Sequence, residues 1–191
     1  QDSSGLGQVS AILCLLIMIY AAFPIAQVVR SAGDSLSSSK SNSVDFIFKD
    51  FITTNIKVLG HVTALVALFG AICATIGWLL NSTGMTMNVD LYGGAAYAYA
   101  LPIDATATFL EMIKLDFIGG VISDFFSWDL TGSTATGYTI DGIVAVGYEY
   151  AQVILILAKL YLALALYHFF YGIVSTLAKW IRSPFLPFKS S

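Results

Sequence analysis

Few residues in this chain combine a reactive type with a usable spacing. His61 and His168 are its two histidines. Two imidazoles facing each other could supply both axial ligands of a b-type haem. The competing reading is two amphipathic rings near an interface, hydrogen-bonded to Ser, Thr or backbone groups. His168 falls on an alanine-rich helical seam, where a macrocycle would wedge a close contact apart. Lys159 lies inside a long apolar run, with Gln152 seven residues before it. An ionisable side chain in such a run marks a possible intramembrane polar site. Glu111 or Asp116 could pair with its amine, or the amine could snorkel to water at an outer interface.

Asn81, Ser82 and Thr83 form a glycosylation sequon, so Asn81 is a possible sugar acceptor. Cys14 and Cys73 sit in apolar runs, where a thiol behaves as a small hydrophobe; the alternative is a disulfide between them. Two Cys and two distant His offer no metal-ligand spacing. No G-x-S-x-G, Walker, H-E-x-x-H or dinucleotide-binding signature occurs. The sequence therefore predicts no catalytic residue, no metal site and no enzyme, with haem b as the single cofactor worth testing.

Composition says what must position these groups. The chain has 191 residues, 57% hydrophobic and 11% charged, whereas soluble domains carry about 25% charged residues. That deficit predicts an all-α integral membrane protein. A net charge of -3, without a Lys/Arg-rich run, argues against a nucleic-acid partner.

Apolar runs at about 9–29, 58–80 and 150–176 predict three transmembrane helices. Pro24 should kink the first. Residues 31–43 read as a Ser-rich loop. Residues 44–57 read as an amphipathic helix lying in the interface, and residues 105–128 as a second. The last helix should run from Gly142 to about Ile181, well beyond one bilayer thickness, and stop before Pro184.

Charge predicts the orientation. Arg30, Lys40, Lys49 and Lys57 lie in the loop 30–57, and Lys179, Arg182 and Lys189 in the tail 179–191. Segment 81–142 is mostly acidic and reads as an outer cap on the bundle. Lys and Arg collect on the cytoplasmic side, which places the N-terminus outside and the C-terminus in the cytoplasm. The polar start QDSSG fits a terminus left by a cleaved signal peptide.

Two helices carry unusually small residues at regular spacing. Gly60, Thr63, Ala67, Gly70, Ala74 and Gly77 form one stripe; Ala151, Ala158, Ala165 and Gly172 form another, seven residues apart. Lipid tails are as apolar as Leu, so helices associate in a bilayer where small residues let backbones approach. These stripes should pack on each other, or on other membrane subunits or copies of the chain. The function expected is a non-catalytic structural subunit of a larger membrane assembly, of secretion, conjugation or respiratory type. The alternatives are a homo-oligomeric pore lined by Lys159, Gln152 or the outer acids, a haem-anchoring redox subunit, and a lipid-associated filament or virion coat subunit.

Overall fold

The computed structural model describes residues 5–82, 91–128 and 137–182, with only the backbone for 91–101 and 182. The described residues are helical or in short turns. Helix α1 is Gly5–Ser37, α2 a single turn at Ser43–Asp45, α3 Ile52–Leu79, α4 Leu91–Met112, α5 Asp116–Ser127 and α6 Ile140–Arg182. A π-helical stretch, Phe46–Phe51, joins α2 to α3. Three helical runs, Gly5–Ser37, Ser43–Leu79 and Ile140–Ile181, are long and apolar enough to cross a membrane. They point to membrane association.

Local structure departs from the sequence expectation in three places. Helix α1 continues through Pro24 to Ser37, so the Ser-rich loop shrinks to residues 38–42. Hydroxyls close its last turn: Ser37 Oγ donates to the Asp34 carbonyl at 2.9 Å and Ser38 Oγ to the Ser35 carbonyl at 3.1 Å. Such bonds satisfy carbonyls that a helix end leaves orphaned.

Residues 44–57 do not make a separate interfacial helix. They run straight into α3 as one rod, Ser43–Leu79. No Gly or Pro interrupts 43–59, and the π stretch absorbs one extra residue without breaking the rod.

The helix expected over 105–128 is in fact two. Helix α4 begins at Leu91 and passes through Pro102, while the chain turns at 113–115 with Lys114 at φ 64. The alanine-rich stretch before Pro102 favours helix. A left-handed residue after Met112 stops it.

Tertiary contacts then set the architecture. Helix α3 lies between α1 and α6 and antiparallel to both. Near one end, Trp78 Nε1 donates to the Thr139 carbonyl at 3.0 Å. Near the other, the Tyr171 hydroxyl donates to Asp45 and the Tyr167 hydroxyl to the Phe48 carbonyl. Helix α1 packs on α3 through Ser10, Cys14 and Ala21.

Helices α4 and α5 form a tight hairpin. A Cβ on Gly119 would sit 3.6 Å from the Ala107 carbonyl oxygen and 3.7 Å from Leu110 Cβ. This hairpin does not cap the bundle end, as segment 81–142 was expected to do. It lies along the side. Ile103 of α4 is buried with Ile56 of α3 and Leu160, Ala163 and Leu164 of α6, and Ile122 and Phe126 of α5 pack on the same cluster. Further along, the Phe109 ring meets Phe170 edge-on at 5.3 Å. Helix α4 thus runs parallel to α6 toward the Asp45 end of the bundle. Its turn into α5, with Glu111, Lys114 and Asp116 all exposed, lies at that end. Burial of the flanking apolar faces on α3 and α6 sets this charged turn at that end of the bundle.

Candidate functional site

Lys159 is the best-defined polar feature of the bundle interior. It is 7% exposed, and its Nζ donates to the Trp128 carbonyl at 2.5 Å. Trp128 is the residue that ends α5. The last carbonyls of a helix carry partial negative charge and lack intrahelical donors. A cation beside them is stabilised and stabilises in return. Lys159 is therefore a C-terminal cap supplied by another helix, thirty-one residues away in sequence.

Gln152 lies on the same face of α6, buried at 9%. Val153, Leu155, Ile156, Leu160, Ala163 and Leu164 complete the inward surface. The amine does not snorkel outward, since the hairpin covers it. Glu111 and Asp116 are exposed at the far turn of that hairpin, about 20 Å along the bundle from the Lys159 level by helix rise.

The small-residue stripes are not brought together face to face. On α3, Gly60, Thr63 and Gly77 are buried and Ala67, Gly70 and Ala74 half-buried. Thr63 Oγ1 donates to the Leu59 carbonyl at 2.8 Å, so its burial leaves no orphaned hydroxyl. A Cβ on Gly70 would meet nothing within 4 Å. On α6, Ala151 is half-buried, whereas Ala158, Ala165 and Gly172 are exposed. A Cβ on Gly172 also meets open space. The α6 stripe faces away from the core, and the Gln152–Lys159–Ala163 face packs inward instead.

Comparison with protein-family models, with curated proteins and with solved structures finds no match.

The histidines take separate surroundings. His61 Nδ1 lies 2.7 Å from the Lys57 carbonyl, and its ring meets Tyr161 edge-on at 6.2 Å. His168 is exposed, two helical turns or about 10 Å beyond Tyr161. Within one chain the two imidazoles are therefore not brought together. Among the described residues no cluster of three or more His, Cys, Asp or Glu could hold a metal.

One site escaped the sequence reading. Asn81, noted as a sequon, has φ 48, and its Oδ1 accepts from Tyr138 N at 2.9 Å. Trp78 stacks on Tyr138 at 4.7 Å. Gly137, at φ +98, and Gly142 complete the knot; a Cβ on Gly142 would fall 2.4 Å from the Gly137 carbonyl. This knot ties the end of α3 to the start of α6. Thr83, the third sequon residue, lies outside the described residues. The stacking of Trp78 on Tyr138 joins residues sixty positions apart in the sequence.

Proposed function

We propose that this chain is a non-catalytic, integral-membrane structural subunit of a larger assembly. The observation that carries the reading is the outward stripe Ala158, Ala165 and Gly172, which the chain's own core leaves unused. In lipid, a face of small residues favours another helix over acyl chains, because backbones can approach there. Helix α6 also has 43 residues, about 64 Å of helix against a hydrocarbon core of about 30 Å. Its exposed last turns extend past the Asp45 contact and offer further surface at that end.

The orientation proposed is N-terminus outside and C-terminus cytoplasmic. The α4–α5 turn adds Lys114 to the half of the bundle that holds Arg30, Lys40, Lys49, Lys57 and Lys179. Among the described side chains, Lys159 alone of the Lys and Arg lies elsewhere. Only Lys and Arg weigh strongly in the positive-inside rule, so the acids beside Lys114 do not offset it.

Native mass spectrometry of the particle extracted in mild detergent tests the assembly. A mass that requires other polypeptides is the expected result. A mass of several copies of this chain alone would move the reading to a homo-oligomeric pore or coat, and a single 20.5 kDa chain would overturn it.

A further inference from the structure

Cys14 and Cys73 face each other across the α1–α3 interface. Cys14 Sγ donates to the Cys73 carbonyl at 3.8 Å, and Cys73 Sγ to the Cys14 carbonyl at 3.9 Å. The contact is reciprocal: each sulfur reaches the other residue's own backbone. The two side chains therefore cross the same interface at the same level, one from each helix. Both are buried, at 8% and 7%, and both are free thiols. Their surroundings permit the close approach. Ser10 and Ala21 are the other buried residues of α1, and Ala71 and Gly77 flank Cys73 on α3. Each sulfur thus comes within 3.9 Å of the other residue's backbone oxygen, and S–S bonding asks for near-adjacent Cβ atoms with converging directions.

From this geometry we infer that Cys14 and Cys73 are a disulfide-forming pair that can staple α1 to α3. The co-reactant is a small disulfide. One thiolate attacks a sulfur of the reagent, forming a mixed disulfide and releasing one reagent thiol. The second cysteine then attacks the cysteine sulfur of that mixed disulfide and releases the second reagent thiol. Two protein thiols are oxidised, one reagent disulfide is reduced to two thiols, and two protons pass from the cysteines to the released thiols. The bond would matter to the architecture, because α3 is the main neighbour of α1. Oxidation would convert a helix held by packing into one held covalently. The inference concerns contacts within one chain and does not depend on the assembly proposed above.

The test uses the full chain with a protease site inserted after Ser41, in the exposed loop between the two cysteines. The chain in detergent is treated with 4,4′-dipyridyl disulfide, cleaved, and run on a gel without reductant. Two released pyridinethiones per chain, a mass lower by two hydrogens, and fragments that stay joined until reductant is added are expected. A Cys14→Ala variant carrying Leu15→Cys, which moves the thiol to a 61% exposed position, should give separate fragments. Fragments of the parent chain that separate, whether each carries a pyridyl group or neither has reacted, would overturn the inference. So would equal joining in the displaced variant.

Discussion

The amine of Lys159 caps the helix that ends at Trp128, donating to its carbonyl at 2.5 Å from inside the bundle. An ionic group in an apolar helix is thereby tied to the docking of a hairpin. Replacing Lys159 with Met keeps an unbranched side chain one atom shorter and removes the charge and the donor. A charged hydrogen bond of this kind contributes about 1.5–3 kcal/mol. Hydrogen exchange in detergent should show residues 116–127 losing protection about tenfold or more, with α1 and its contact on α3 unchanged. Uniform loss across all helices, or none, would contradict the cap.

The glycines at the start of α6 should behave in opposite ways. Gly142→Ala places a methyl 2.4 Å from the Gly137 carbonyl and 2.8 Å from Trp78 Cδ1. Overpacking of this kind costs about 1–3 kcal/mol. Gly147→Ala meets nothing within 4 Å and gains helix propensity of about 1 kcal/mol. Thermal unfolding followed by circular dichroism should drop for the first variant and hold or rise for the second.

The outward stripe gives a variant that separates assembly from folding. Gly172→Leu enters open space on α6, so the helical content and thermal transition of the isolated chain should be retained. The native mass of the extracted particle should fall as partners are lost. An unchanged particle would remove the stripe from the proposed interface.

At the loop 38–42, Asp50 accepts from Ser39 Oγ at 2.5 Å and Ser41 Oγ at 2.6 Å. These two hydroxyls, Ser39 first, hold the carboxyl below the usual carboxylate range. Asp50 precedes the apolar stretch 58–80. A carboxyl whose folded pKa is depressed stabilises above its unfolded pKa and loses that contribution as pH falls through the folded value. The loop should therefore stay ordered at neutral pH and loosen on acidification below the ordinary carboxylate range. Ser39→Ala with Ser41→Ala should leave the loop loose at neutral pH and move the titration of the Asp50 carboxyl to higher pH. Titration of the Asp50 carboxyl carbon by NMR in the two proteins checks the direction.

How much of this could be read in the residues depends on how local the cause is. The three long apolar helices were legible, because length and apolar composition are properties of a contiguous stretch. The unbroken last helix was legible for the same reason. The hairpin was not: Glu111, Lys114 and Asp116 made its segment look too polar to lie along the bundle. They occupy the turn, while Ile103, Phe109, Ile122 and Phe126 on either side bury against α3 and α6.

The sequence alone therefore determined the three long apolar helices and which positions on them are small, polar or charged, since these follow from side-chain type and a 3.6-residue period. Tertiary structure decided which face each helix turns inward. Helix α6 offers both a small-residue face and a Gln152–Lys159–Ala163 face, and no local preference chooses between them. The choice falls to the hairpin, whose open C-terminal carbonyl at Trp128 supplies the partner that lets a lysine be buried there.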